Sequence, residues 1–195
     1  MMNILYLHGL DGHLSDDKRI ALEKYGRVIG PQIDYRISDR NIEVLTDQYQ
    51  HEQIDIVIGN SMGGLMAYHI SLAYGTPCLI FNPALPYTSI PQQIPVIIRE
   101  RTEILQVVLG KQDEVINYLD TTKYLDESIA PEVEYKLHIY NTLPHRINIA
   151  IFEEELNSFF RSIENFKTQL RKQWLRNMRK TGGYSRRFWN CFFDD

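Results

Sequence analysis

Apolar and polar positions fall into alternating blocks along the 195 residues. Short apolar runs of strand length occur at Ile4–Leu7, Val28-Ile29, Ile54–Ile58, Cys78–Phe81, Ile104–Leu109 and, with an alternating pattern, Val133–Tyr140. Between them lie longer stretches with helical spacing. Ser15 to Tyr25 reads as a helix with Ser15 as N-cap and Gly26 closing it. Asn41 to Gln50 places Ile42, Leu45 and Tyr49 on one face. Met62 to Tyr74 stops at Gly75 with Pro77 just beyond. Glu114 to Leu125 is helix-like, and Ile149, Phe152, Leu156, Phe159, Phe160 and Ile163 form the strongest stripe of all. This alternation of strand and helix predicts an α/β fold, a mostly parallel sheet with helices on both faces.

Parallel sheets of this kind hold ligands at the carboxyl ends of their strands. Residues able to do chemistry fall there repeatedly: His8-Gly9-Leu10 after the first run, Ser61 after the third, Asn82-Pro83 after the fourth, Asp113 after the fifth and His145 after the sixth. From Asn82 to Thr102 the pattern is irregular, with Pro83, Pro86, Pro91 and Pro95. That stretch reads either as a minimal cap over the sheet edge or as a plain surface connection. No internal repeat or low-complexity segment is present.

Gly59-Asn60-Ser61-Met62-Gly63-Gly64 is a G-x-S-x-G pattern between a strand and a helix. A serine hydroxyl becomes a useful nucleophile when a sharp turn holds it beside a base. Such a turn needs small neighbours two residues away on each side, and Gly59 and Gly63 meet that need. A glycine-rich turn can also pack closely or bind a phosphate. The pattern lacks the G-x-G-x-x-G of dinucleotide folds and the G-K-[ST] of phosphate loops. His145, in the loop after the last strand, is the candidate base. His8, His13, His51, His69 and His138 compete with it. His51 and His69 read as helical and His138 as lying inside a strand, so they aim poorly. Asp113 is the candidate acid that fixes the imidazole, with Glu114 and Asp120 as rivals and helix capping as its plainer role. An oxyanion needs two N–H donors. Met62, after the serine, and Leu10, in the glycine-containing first loop, are the candidates.

Composition adds bounds to this picture. The chain is 44% hydrophobic and 24% charged, as expected of a globular protein with one full core. Cys78 and Cys191 are isolated, which argues against a disulfide framework and for a reducing compartment. The first residues read as a strand and not as a signal peptide, and no apolar stretch is long enough to span a membrane. A cytoplasmic location is the expectation. Charge is uneven: residues 1–165 carry 13 Lys+Arg against 23 Asp+Glu, and residues 166–195 carry 8 against 2. The chain thus divides into an acidic body, 1–165, and a basic, aromatic tail, 166–195.

Leu7-His8-Gly9-Leu10-Asp11-Gly12, Gly59 to Leu65, Asn82-Pro83-Ala84, Asp113-Glu114-Val115 and His145-Arg146 together resemble the YqiA-like esterases, small α/β-hydrolases of bacteria. The resemblance covers about residues 3–160 in order and spacing. It implies a Ser61–Asp113–His145 triad and hydrolysis of short carboxylic esters or thioesters, and attack by a serine on such a bond needs no metal or organic cofactor. The alternative is a catalytically silent member of the fold that binds a ligand or partner. The tail departs from the family pattern. Phe166, Leu170, Trp174 and Met178 continue the helical stripe among basic residues, and Gly182-Gly183 closes it before the aromatic segment Tyr184 to Phe193. Docking on the body or pairing into a homodimer is the first expectation for this tail, and a disordered end the next. A membrane-surface contact is the lesser one. Basic and aromatic residues together also suit single-stranded nucleic acid, but no nucleic-acid partner is expected.

Overall fold

A computed structural model describes residues 1–86, 89–131, 133 and 135–181. The elements in chain order are β1 (Met2–Leu7), α1 (Asp16–Glu23), β2 (Gly26–Ile29), α2 (Asn41–Tyr49), β3 (Ile56–Asn60), α3 (Met62–Tyr74), β4 (Cys78–Phe81), β5 (Leu105–Gln112), α4 (Tyr118–Ser128), β6 (Lys136–Pro144) and α5 (Ile149–Thr181). The strands form one six-stranded sheet in the order β2-β1-β3-β4-β5-β6. Every neighbouring pair is parallel. The α/β prediction holds, with the sheet wholly parallel among the described strands.

The central strands are buried on both faces, so they read as continuous apolar runs. Their side chains nevertheless alternate between two separate cores. Leu5, Leu7, Val57, Cys78, Ile80, Val107 and Leu109 meet Ile42 and Leu45 of α2, Leu65, Met66 and Ile70 of α3 and Leu125 of α4. Ile4, Tyr6, Ile56, Ile58, Leu79, Phe81 and Val108 meet Leu22 of α1 and Phe152, Leu156, Phe159 and Ile163 of α5. Helices α1 and α5 therefore cover one face, and α2, α3 and α4 the other.

Several boundaries differ from expectation for identifiable reasons. Gly26 does not close α1. That helix ends at Lys24 in the right-handed conformation, and Gly26 opens β2, where a Cβ would lie 2.3 Å from the Met2 carbonyl oxygen. Ser15 occupies the N-cap position but gives its hydroxyl to the Asp17 carboxylate instead of capping a backbone N–H. Helix α4 begins at Tyr118 and not at Glu114. The Asp113 carboxylate first holds a turn through the N–H groups of Val115 and Ile116, and Asn117 then caps the helix by accepting from Leu119 N–H at 2.9 Å. β6 begins at Lys136, where pairing with Gln106 of β5 starts, and runs on to Pro144. Val133 and Tyr135 precede that pairing and pack against the core under α3. His51 lies in the turn after α2, outside the helix. Residues 82–102 form no helix or strand where they are described, and Val96 and Ile98 project into solvent.

α5 continues without a break through residue 165, so the body's last helix and the start of the tail are one element. Its packing against the sheet ends at Ile163, and residues 164 to 173 are exposed. Gly182-Gly183, the segment Tyr184 to Phe193 and Cys191 lie outside the described residues. Among the described residues, no helix is long and apolar enough to cross a membrane.

Candidate functional site

The turn between β3 and α3 puts Ser61 at φ 54°, ψ −123°, a conformation a side-chain-bearing residue seldom adopts. The surrounding backbone imposes it. Ser61 N–H donates to the Phe81 carbonyl of β4 at 2.9 Å. The Ser61 carbonyl accepts from Gly64, Leu65 and Ala84 N–H groups at 2.9, 3.1 and 3.1 Å. The flanking glycines are required by contact. A Cβ on Gly59 would sit 2.1 Å from the Gly63 carbonyl oxygen, and one on Gly63 would sit 2.0 Å from that of Leu7. Strand and helix can approach this closely only without those side chains.

His145 follows β6 and meets Ser61 from the far side of the sheet edge. Its Nε2 lies 3.0 Å from Ser61 Oγ. Its Nδ1 lies 2.8 Å from Asp113 Oδ2 and 3.0 Å from Oδ1. The Asp113 side chain is almost wholly buried, and its Oδ1 also accepts Val115 and Ile116 N–H at 2.8 and 2.7 Å. A carboxylate that only accepts requires Nδ1 to carry the imidazole proton. Nε2 is then left as an acceptor for the serine hydroxyl. The residues singled out from the sequence at these three strand ends are thus joined in one hydrogen-bonded chain. Of the rivals, His69 is buried in α3, His138 pairs with Glu155 and Asp120 is in the first turn of α4, whereas His8 and His13 line the same cleft as Ser61.

Asn82 has a role that its sequence position did not reveal. Buried and at φ 39°, it accepts Gly110 N–H at 2.8 Å and donates to the Pro144 and His145 carbonyls at 3.1 and 3.2 Å. It therefore ties the end of β5 to the loop that carries His145. Glu114 accepts from the His145 N–H at 3.4 Å on the other side of that loop.

The first loop is similarly braced. His8 is buried, and its Nε2 accepts the Ile33 N–H at 2.9 Å. Nδ1 must then bear the proton, which it donates to the Gly9 carbonyl at 2.7 Å. Burial holds the His8 pKa below the ordinary histidine value and keeps the ring neutral. Tyr35 donates its hydroxyl to the His8 carbonyl, and Gly12 N–H closes a turn on Gly9 at 3.1 Å. Leu10 rides on this braced turn. Gly9 lies against the serine, with 3.2 Å between a Cβ placed on it and Ser61 Cβ. Because Ser61 N–H is committed to Phe81, the next amide at the start of α3 is that of Met62.

A cleft of about 730 Å³ opens above these groups. Its lining includes Tyr6, Lys18, Arg146 and Ile147, and Leu10, Ala84, Val115 and Ile116. Two acids at its rim, Asp11 and Asp17, are engaged. Asp11 receives Arg36 at 2.8 Å, and Asp17 receives the Lys18 N–H at 2.8 Å and the Ser15 hydroxyl.

Residues 3–96 match the family model described as "Uncharacterised protein family (UPF0227)", which bears out the resemblance to the YqiA-like esterases over the N-terminal half. No curated protein matches the chain significantly in sequence. Several solved structures share its fold. The α/β hydrolase MGS-MChE2, from the metagenome of sediments of the Mar Chica lagoon, Morocco, aligns with a TM-score of 0.63 at 17% identity, covering 84% of this chain and 92% of that one. Est1E from Butyrivibrio proteoclasticus aligns with a TM-score of 0.59 at 16% identity, covering 83% and 87%. FphF of Staphylococcus aureus, a fluorophosphonate-binding serine hydrolase, aligns with a TM-score of 0.56 at 15% identity, covering 80% of each chain. At these identities the likeness establishes an α/β-hydrolase fold.

Proposed function

We propose, from the resemblance to the YqiA-like esterases and the hydrogen-bonded chain at the sheet edge, that the protein is a serine hydrolase of small carboxylic esters or thioesters. The observation that carries this reading is the pair of contacts made by one imidazole, 3.0 Å to Ser61 Oγ and 2.8 Å to Asp113. His145 takes the serine proton as Oγ attacks the substrate carbonyl. The tetrahedral oxyanion is met by the N–H groups of Met62 and Leu10, the former also at the positive end of α3. Collapse expels the alcohol or thiol, which receives the proton from His145 and leaves an acyl-enzyme on Ser61. Water, activated by the same imidazole, then releases the acid. Asp113 holds the ring in the Nδ1–H tautomer and stabilises the imidazolium of each transition state. None of these steps calls on a metal or organic cofactor.

A binding protein with the same fold has no need to keep a serine in a strained turn facing an oriented imidazole. The decisive measurement is labelling by a fluorophosphonate probe, with Ser61→Ala as control. Ser61-dependent labelling together with release of p-nitrophenol from short acyl esters is the expected result. Folded wild-type protein that takes no label would overturn the reading.

A further inference from the structure

One wall of the cleft holds a cation that the proposed chemistry leaves unused. Lys18, in the first turn of α1, lines the same cleft as Ser61 and is half-buried. Its ammonium rests 5.2 Å from the centroid of the Phe152 ring. Among the described residues, no carboxylate forms an ion pair with it and no acceptor takes its hydrogen bonds. The nearest acid, Asp17, spends its oxygen on the Lys18 backbone N–H and the Ser15 hydroxyl, and Asp11 is held by Arg36. The Tyr6 hydroxyl, also in the lining, is neutral and donates to Asn60 Oδ1 at 2.8 Å. Arg146, next to His145, adds a second cation to the lining, again without an ion pair among the described residues.

Lys18 and Arg146 balance Asp11 and Asp17 in the cleft lining, whereas in the body as a whole acids outnumber bases by ten over residues 1–165. A partly desolvated ammonium whose only nearby counter-charge, Asp17, makes no ion pair with it is under-compensated, and an anion arriving in the cleft relieves that cost. Burial pushes the Lys18 pKa below the ordinary lysine value, against a smaller raising effect of Asp17. A neutral ester would leave Lys18 in the same unfavourable state after binding.

We propose that Lys18, assisted by Arg146, binds an anionic group, a carboxylate or phosphate, carried by the ester or thioester that Ser61 attacks. This rests on the hydrolase reading above. The substrate class narrows accordingly from small esters in general to those with a charged acyl or leaving group.

The test compares matched esters in two arms. The acyl arm sets p-nitrophenyl hemisuccinate against p-nitrophenyl valerate. The leaving-group arm sets 4-carboxyphenyl butyrate against phenyl butyrate. In at least one arm the ratio of kcat/KM, anionic over neutral, should fall about tenfold or more in Lys18→Gln and recover in Lys18→Arg, as expected for loss of a charge-assisted contact. The wild-type ratio should also shrink as salt is raised. That readout needs no variant to fold. Inorganic phosphate and succinate, added as competitors, separate the two anion sources: inhibition by either that disappears in Lys18→Gln supports the inference and identifies the anion. Ratios unchanged by Lys18→Gln and by salt in both arms would overturn it while leaving the hydrolase reading intact. Absence of any Ser61-dependent turnover would overturn both.

Discussion

Among the described residues, two histidine–carboxylate pairs have nearly the same geometry. His145 Nδ1 lies 2.8 Å from Asp113, and His138 Nδ1 lies 2.8 Å from Glu155. Both acids are almost completely buried, with 1% and 2% of their side chains exposed. What differs is the rest of each neighbourhood. Asp113 is held by backbone amides, and the second nitrogen of its histidine faces a serine hydroxyl across an open cleft. Glu155 of α5 is held by side chains, Gln106 of β5 and Tyr140 of β6, and its histidine makes no hydrogen bond to a serine, threonine or cysteine among the described residues. The lesson is that an oriented imidazole becomes a base through what its free nitrogen meets. A buried carboxylate partner is equally at home in a structural joint, here pinning α5 to β5 and β6.

Exchanging the histidines should break this symmetry most sharply. His145→Gln is expected to lower kcat for short p-nitrophenyl esters by about 10⁴-fold or more, whereas His138→Gln should stay within about twofold of wild type. Comparable losses in the two variants would remove the distinction drawn here. Asp113→Asn comes next. Its amide would offer an N–H to Nδ1, invert the tautomer and direct a proton at the serine. A fall in kcat of about 10³-fold or more is expected, with little change in melting temperature, since Oδ1 still accepts both backbone amides.

On the structural side, Glu155→Ala should show the opposite signature. It removes the carboxylate that accepts from the Tyr140 hydroxyl and from the buried Gln106 amide, which keeps only a 3.3 Å bond to the residue-155 carbonyl. A loss of roughly 3–5 kcal/mol in denaturant unfolding is expected, as for a buried pair broken on one side. Ser61 labelling of the protein that remains folded should persist.

The smallest effect concerns a third histidine, His69 of α3. Burial, and then the Arg101 charge, push its pKa down to about 4. The unfolded chain binds this proton near pH 6.5 and the folded protein does not, so stability is full above that pH and declines as pH falls towards 4. The loss is on the order of 3 kcal/mol at most. Urea unfolding at pH 7 and pH 4.5 should reveal it, and His69→Phe should flatten the difference.

Much of this architecture was legible because it follows from local punctuation and a topological rule. α3 ends where expected because Gly75 takes the left-handed conformation at φ 69° that its lack of Cβ permits. The family resemblance, read from short motifs, agrees with the family match over residues 3–96. The meeting of Ser61, Asp113 and His145 at one edge was foreseeable because all three follow parallel strands, which deliver their ends to the same side. Other features depend on side chains reaching across the chain. Nothing in the spacing of Asp113 and Tyr118 announces that a carboxylate would hold a turn and delay α4. Alternation through Val133 and Tyr140 carried no information on the register that starts β6 at Lys136. The clamp made by Asn82, the bracing of the first loop by His8 and the His138–Glu155 joint all join residues on different elements. They became visible only with the sheet assembled.

The partition of the interior into two cores has a consequence for how the cleft can change. One wall is anchored by Tyr6 and Ile147, members of the core beneath α1 and α5. The opposite wall is anchored by Ala84 and Ile116, members of the core beneath α2, α3 and α4. The cleft is a seam between two mechanically separate halves that share only the sheet. Repacking either half moves one jaw and leaves the other in place, so ligand preference can drift through interior substitutions far from the serine, one jaw at a time, while the hydrogen-bonded chain on the sheet's edge keeps its geometry.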